Sequence, residues 1–261
     1  MVKEHMKCTI CNSKTKYYFS KSFNLKNLDI ADYYECTNCG FVYSKQHRQM
    51  PQQQWNDLNK EFHLLFLGKD SSKFDPKWME RLSAQYRFIK TLMKLNLVDT
   101  TNWLDFGCGD GKLANKLLAS CVNIKKFDRY CPVGNSFITE LELSELRSNF
   151  VINTSVFEHL YKREDMEEIL TIPNNCLLFH TMVQEKVPQD PTWYYLLPVH
   201  CSMHTNKSMQ ILFDEFGYKQ SIYDIESRMW ALFKQYVKIP AQIMNSKKYY
   251  VKNGFADYWK L

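Results

Sequence analysis

The chain has 261 residues, 45% of them hydrophobic and 24% charged, a balance that suits one large core or two unequal ones and excludes a largely disordered protein. Its formal charge of +6 is an end effect: residues 1–50 carry eight Lys/Arg against four Asp/Glu, residues 240–261 carry four against one, and the body between them carries 22 against 23. A near-neutral body argues against a nucleic-acid partner. No apolar run nears the roughly 18 residues that span a bilayer, and no secretory h-region follows the first residues, so the expectation is a cytoplasmic protein with no membrane partner.

The first element is a pair of Cys-x2-Cys hairpins, Cys8/Cys11 and Cys36/Cys39. In a reducing compartment this spacing presents four thiolates to one tetrahedral Zn2+ ion, a closed structural site with no position left for substrate. Residues 1–50 are therefore predicted to form a small zinc ribbon that loses its structure before the rest when the metal is stripped. The polar stretch 46–54, with Pro51, reads as a linker. Residues 51–100 are a helical extension with helices expected at 55–67 and 76–95; in the second, Trp78, Leu82, Tyr86, Ile89 and Met93 recur at helical spacing, and Asp75 and Pro76 supply its start.

From residue 101 the pattern changes to short β-like runs at 102–106, 122–127, 136–139, 150–154 and 176–182, which alternate with helical ones. This predicts an α/β fold, a Rossmann-like sheet with helices on both faces, over 101–240. A helix at 207–216 is capped by Thr205 or Asn206 and stopped by Gly217, and 219–225 and 229–237 are the last candidate strands. Residues 241–261 form a basic, aromatic tail with no assigned place.

The run from Trp103 through Asp105, Phe106, Gly107, Cys108, Gly109 and Gly111 ends a strand and opens a helix. Glycines there let the chain turn sharply and approach a ligand closely. Asp128 follows 23 positions after Asp105, at the end of the next strand, where a carboxylate can accept hydrogen bonds from ribose hydroxyls. Only 129–135 separate the second strand from the third, too few for a crossover helix, so one face of the sheet is expected to be thinner there.

These residues resemble the first motif and acidic strand-2 end of the class I S-adenosylmethionine-dependent methyltransferases. Ser155, Val156, Phe157, Glu158, His159 and Leu160 resemble the strand-4 signature of that family, and Pro198, His200, Ser202 and Thr205 resemble a P-x-H-x-S-x-x-T segment. With a ribbon ending Tyr34-x-Cys36-x2-Cys39-Gly40-x-Val42, the chain resembles a zinc-ribbon subgroup associated with sugar and surface-polysaccharide modification. The resemblance implies S-adenosylmethionine as cofactor, held by Asp105, Phe106, Gly107, Cys108, Gly109, Gly111, Asp128, Arg129 and Thr154, with Glu140, or Glu142 beside it, as the adenine contact. It also implies O-methylation of a small acceptor, a sugar or nucleotide-linked sugar for surface polysaccharide; C-methylation of a ketosugar, a ribosomal RNA substrate and a vestigial scaffold are the alternatives.

A sulfonium methyl is already activated, so the protein has to align the acceptor and remove its proton. His200 is the candidate base, with His204 second, and Trp193, Tyr194 and Tyr195 either stack on a sugar or pack as core. Glu158 and His159 also resemble part of an E-x-x-E-H arrangement that binds a divalent metal (Mg2+, Mn2+ or Fe2+) in some quinone and RNA-terminal methyltransferases, with Ser155 in place of the first glutamate. Alternatively, Glu158 sits at a helix start, near the positive end of the dipole.

Overall fold

A computed structural model describes residues 7–67, 77–130 and 136–258, side chains of 63–67 excepted. Two sheets organise it. The larger has seven strands and is built around β4 (Trp103–Phe106), β5 (Ile124–Phe127), β6 (Phe150–Thr154) and β7 (Cys176–His180), all parallel. Beyond β7 lie the antiparallel β11 (Met229–Phe233), β10 (Gln220–Asp224) and β12 (Tyr249–Asn253), giving the order β12-β10-β11-β7-β6-β4-β5.

The central strands are apolar on both sides because both sides are covered. Period-two alternation sends Trp103, Phe150, Ile152, Cys176, Leu178, Ile222, Ala231 and Phe233 to one core. There they meet Leu82, Phe88, Ile89 and Leu92 of α3 (Trp78–Lys94), and Leu113 and Leu117 of α4 (Lys112–Leu118). The intervening Leu104, Val151, Leu177, Phe179, Tyr223, Trp230 and Leu232 enter a second core, with Met166, Ile169 and Leu170 of α6 (Arg163–Thr171) and Met209, Leu212 and Phe213 of α7 (Asn206–Glu215). The expected helices on both faces are thus present.

The smaller sheet corrects the picture of a separate ribbon. Its order is β1-β2-β3-β9-β8. The strands β1 (Thr15–Leu25), β2 (Leu28–Cys36) and β3 (Val42–Ser44) come from the N-terminal segment, whereas β8 (Val183–Gln184) and β9 (Ser202–Thr205) follow β7 in the chain. Val42 and Tyr43 pair with Met203 and Ser202, and Cys8, Ile10, Cys36, Cys39, Phe41 and Tyr43 share the second core with the main sheet. The other side of the small sheet packs Tyr18, Phe19, Leu28 and Tyr33 against Trp55, Leu58 and Phe62 of α2 (Gln52–Leu67).

Other differences from expectation are local. The stretch read as a linker is helical: Ser44 caps α1 (Lys45–Gln49) and α2 begins one residue after Pro51. Asp75 and Pro76 lie outside the described residues, and Lys77 occupies the N-cap position of α3. The third strand expected at 136–139 is a single parallel bridge, Lys126 to Phe137, before Thr139 caps the short α5 (Glu140–Glu145) with a capping box. The tail, unplaced from sequence, supplies α8 (Ala241–Met244) and the edge strand β12, and buries Phe255 against Phe213 and Trp230.

Candidate active site

The C-terminal ends of β4, β5, β6 and β7 open into one cavity of about 1710 Å³, roofed by α2 and the first turns of α3. A crevice outside the carboxyl ends of parallel strands is where such sheets bind ligands. The volume exceeds the roughly 300 to 1,000 Å³ common for one small molecule, so it has room for two.

The glycine loop forms the floor on one side. Gly107, Gly109 and Gly111 take φ of +71°, +56° and +73°, the left-handed region that glycine enters at no steric cost. A Cβ on Gly107 would lie 2.4 Å from Val156 Cγ2, whereas one on Gly109 would have no atom of the described residues within 4 Å. Gly109 thus fronts open space where a ligand can approach the backbone. Its N–H donates to the Asp128 carboxylate at 2.8 Å, and the other carboxylate oxygen accepts from the Tyr130 N–H at 2.9 Å.

Asp105, Phe106, Cys108, Arg129, Glu140 and Thr154 also line the cavity. Asp105 is buried, and burial together with the nearby Asp128 pushes its carboxyl up to about 7. Burial, with the same two aspartates, pushes the Cys108 thiol up as well, which keeps it protonated and unreactive. Arg129 and Glu140 are brought together: Arg129 Nε donates to Glu140 at 2.8 Å, and its second guanidinium nitrogen to Glu168 at 2.9 Å. This pair forms a charged clamp at the β5 end, with Glu140 already engaged as an acceptor.

The opposite side of the cavity gathers Glu158, His159 and His200, whose ligand atoms all lie within 4.8 Å of one another. Glu158 is buried in a single 3-10 turn (Phe157–His159), so a dipole role at an α-helix start is not what the fold gives it. Its carboxylate accepts from Thr181 Oγ1 at 2.6 Å. The His200 Nδ1 contacts the Tyr195 carbonyl at 2.7 Å, and a carbonyl only accepts, so Nδ1 carries the proton and, in the neutral ring, Nε2 is the nitrogen with base or ligand character. The His200 ring packs on Tyr195, with centroids 4.4 Å apart, and edge-on to His159 at 5.0 Å.

His204 does not join them. Strand alternation at the end of β9 turns it away from the cavity, between Phe41 and Phe157, with centroids 4.9 and 5.9 Å away. Burial pushes its imidazole down to about 3, so it is a neutral core side chain.

Sequence reasoning missed His180, Tyr130, Arg81 and Arg228, all of which line the same cavity. His180 is buried and pairs through Nδ1 with Ser155 Oγ at 3.2 Å. Its place as the last residue of β7 was a usable signal, since functional groups collect at those strand ends. The other three had no marker in local sequence.

Cys8, Cys11, Cys36 and Cys39 also converge within 4.8 Å. The Sγ pairs Cys8/Cys39 and Cys11/Cys36 stand 3.6 and 3.4 Å apart, close to the roughly 3.8 Å edge of a tetrahedron with Zn–S bonds near 2.3 Å. Backbone N–H groups of Ile10 and Asn38 donate to Cys8 and Cys36 sulfur at 3.3 and 3.4 Å, which favours thiolates. The donor set and spacing fit zinc.

The sequence model described as "Methyltransferase domain" matches residues 77–220, more than half of the chain. No curated protein sequence matches it. Among solved structures, the magnesium protoporphyrin IX methyltransferase of Synechocystis PCC 6803 with bound SAM is 12% identical, covering 72% of this chain and 95% of that one at a TM-score of 0.45. The plantazolicin methyltransferase BamL, in complex with a triazolic desmethylPZN analog and SAH, is 10% identical over 77% of this chain and 87% of its own, also at 0.45. WbdD is 16% identical over 61% of this chain and 42% of its own, at 0.39. These likenesses are distant, and the family rests on the matched stretch, which contains the glycine loop, Asp128 and the Glu158-His159 turn. On that match the chain belongs to the methyltransferase-domain family and is an enzyme of methyl transfer.

Proposed function

We propose that the protein transfers the methyl group of S-adenosylmethionine to a hydroxyl of a small acceptor, a sugar or nucleotide-linked sugar. The observation that carries this reading is the single cavity with a glycine floor on one side and His200 on the other. In this reading the donor lies along Gly107, Gly109 and Asp128, with its adenine toward Arg129 and Glu140, and the acceptor lies over the ends of β6 and β7. His200 Nε2 takes the acceptor hydroxyl's proton as the oxygen bonds to the methyl carbon and the carbon–sulfur bond breaks, leaving S-adenosylhomocysteine. The Tyr195 carbonyl supports this role because it fixes the tautomer in which Nε2 carries the basic lone pair. Tyr194 and Tyr195, which line the cavity, supply aromatic faces suited to a sugar ring, whereas Trp193 packs against the core of the small sheet.

A second reading of the same residues is favoured by the convergence of Glu158, His159 and His200. Two imidazoles and a carboxylate are a fitting set for Mn2+ or Fe2+, and the hydrogen bonds from Thr181 and to Tyr195 are the kind of outer support that metal ligands have. Such an ion would lower the pKa of an acceptor hydroxyl. Zinc in the four-cysteine cluster is structural in either reading.

Calorimetric titration with S-adenosylmethionine, before and after chelation and with added Mn2+, tests these proposals. Donor binding that falls about tenfold or more in Asp128→Asn supports the donor site; no binding overturns it. His200→Ala is expected to lower turnover by about a hundredfold or more while leaving donor affinity unchanged. Turnover that survives chelation removes the divalent-ion reading.

A further inference from the structure

We propose that His180 reads a second hydroxyl of the acceptor, distinct from the one that is methylated, so that the acceptor is a polyol; this deepens the methyl-transfer reading above and rests on it. His180 is the last residue of β7 and lines the cavity. The strand order sets β7 next to β6 and away from β4 and β5, whose ends carry the glycine loop and Asp128, so His180 stands on the acceptor side. One neighbour holds it at two points. The Ser155 N–H donates to the His180 carbonyl at 2.8 Å, and Ser155 Oγ pairs with the His180 Nδ1 at 3.2 Å. Ser155 makes both contacts from φ of +56°, a conformation uncommon for a residue other than glycine. Backbone strain kept at the mouth of a ligand cavity points to a use for the side chains it fixes.

The other ring nitrogen, Nε2, bonds to no further residue among the described ones. His204 supplies the contrast: both of its nitrogens lack a partner and are sealed in the core, whereas Nε2 of His180 is not sealed and its residue lines the cavity. Burial first, then the positive fields of Arg81 and Arg228, hold the His180 imidazole well below its usual range, so the ring meets a ligand uncharged. An uncharged ring exerts no ionic pull on a phosphate or carboxylate. A hydroxyl suits it because a hydroxyl both donates and accepts, and so pairs with Nε2 in either tautomer that Ser155 Oγ allows. One position on, Thr181 donates to Glu158, whose carboxylate belongs to the cluster with His200. The ring that reads a hydroxyl and the proposed base thus share one side of the cavity, as two hydroxyls of one small polyol require. Because Ser155 fixes the ring before the ligand arrives, binding costs little side-chain freedom.

The test is ring-nitrogen magnetic resonance on the full chain labelled at histidine, both ligand-free and loaded with S-adenosylhomocysteine, with His180→Gln identifying the His180 signals. The probes are methyl glucoside, uridine diphosphate glucose and tetrahydropyran, a ring without hydroxyls. At least one of the two sugars is expected to bind saturably and to shift the His180 Nε2 signal, with tetrahydropyran leaving it in place. His200→Ala should keep this shift, because a different hydroxyl makes it. His180→Leu should weaken that sugar about tenfold, whereas His180→Gln, whose amide reaches the place of Nε2, should keep most of the affinity. Both variants should hold S-adenosylhomocysteine as the wild type does, which also certifies their folding. The proposal is overturned if neither sugar binds in either form, if a bound sugar leaves the His180 signal unmoved, or if the shift disappears in His200→Ala. Failure of S-adenosylhomocysteine to bind overturns the methyl-transfer reading instead, and the sugar titration of the ligand-free chain still scores His180.

Discussion

Gly107 and Gly109 share a backbone conformation but differ in what a methyl group would meet, and this separates folding from binding at positions two residues apart. Gly107→Ala drives a Cβ into Val156 at 2.4 Å and strains φ, so it should cost about 2 to 4 kcal/mol in thermal or urea unfolding. Gly109→Ala adds only the left-handed strain of about 1 to 2 kcal/mol, yet fills the space above the loop, so its main effect should be lost donor affinity in calorimetry. Asp105 makes a pH prediction. Its folded pKa of about 7 lies above the ordinary carboxylate value near 4, so the fold favours the protonated form. The stability this brings is fully present below about pH 4 and is lost as the pH rises through about 7. Asp105→Asn keeps the neutral shape, so its melting temperature should fall less than the wild type's between about pH 5 and pH 8. Equal slopes for the two proteins would show that Asp105 ionises freely in the fold.

At the scale of elements, the last strand and the segment after it show how a polar tail becomes structure. Residues 249–253 lack the apolar alternation of a core strand because β12 is an edge strand, half-buried and paired on one side with β10. Just beyond it Phe255 stacks on Trp230 and Phe213 at 5.0 and 5.5 Å, and the Ala256 carbonyl accepts the Trp230 indole N–H at 2.8 Å. Phe255→Ala should therefore destabilise the protein by about 3 to 5 kcal/mol, measured by urea denaturation, although the residue stands only six positions before Leu261. The strands at 150–154 and 176–180 were legible in sequence because burial on both faces makes a continuous apolar run. The bridge at Phe137 was not, since one bridged residue leaves no period to detect.

For the whole molecule, the cysteine cluster is continuous with the catalytic domain. Cys8, Cys36 and Cys39 share a core with Phe157 and Phe179, Thr205 Oγ1 donates to the Cys39 carbonyl at 2.5 Å, and β3 pairs with β9. Stripping the metal should therefore lower the melting temperature of the entire chain in one cooperative transition, followed by circular dichroism and tryptophan fluorescence together. An early, separate loss of the small sheet would show that the shared core is energetically divided. The same continuity ties the cluster to the active site, because β9 lies just after His200 in the chain and the turn bearing Glu158 packs on it: the Cys201 N–H donates to the Glu158 carbonyl at 2.8 Å.

The sequence by itself determined the features that short-range chemistry encodes: thiol spacing for a tetrahedral ion, glycines where a strand turns into a helix, and a carboxylate at the next strand end. The two thiols of each Cys-x2-Cys pair and the glycines of the loop lie within a few residues of one another, so local spacing sets their geometry, and Asp128 is marked by its place at a strand end. Tertiary structure alone decided between His200 and His204. Four residues apart and alike in type, they part because one lies on a loop facing the cavity and the other on a strand facing the core. It also decided that residues 183–205 return to complete the N-terminal sheet, and that Arg81 and Arg228, 147 positions apart, line one cavity with His180. Contacts across such separations depend on how sheets and helices pack, and no local pattern in the chain records them.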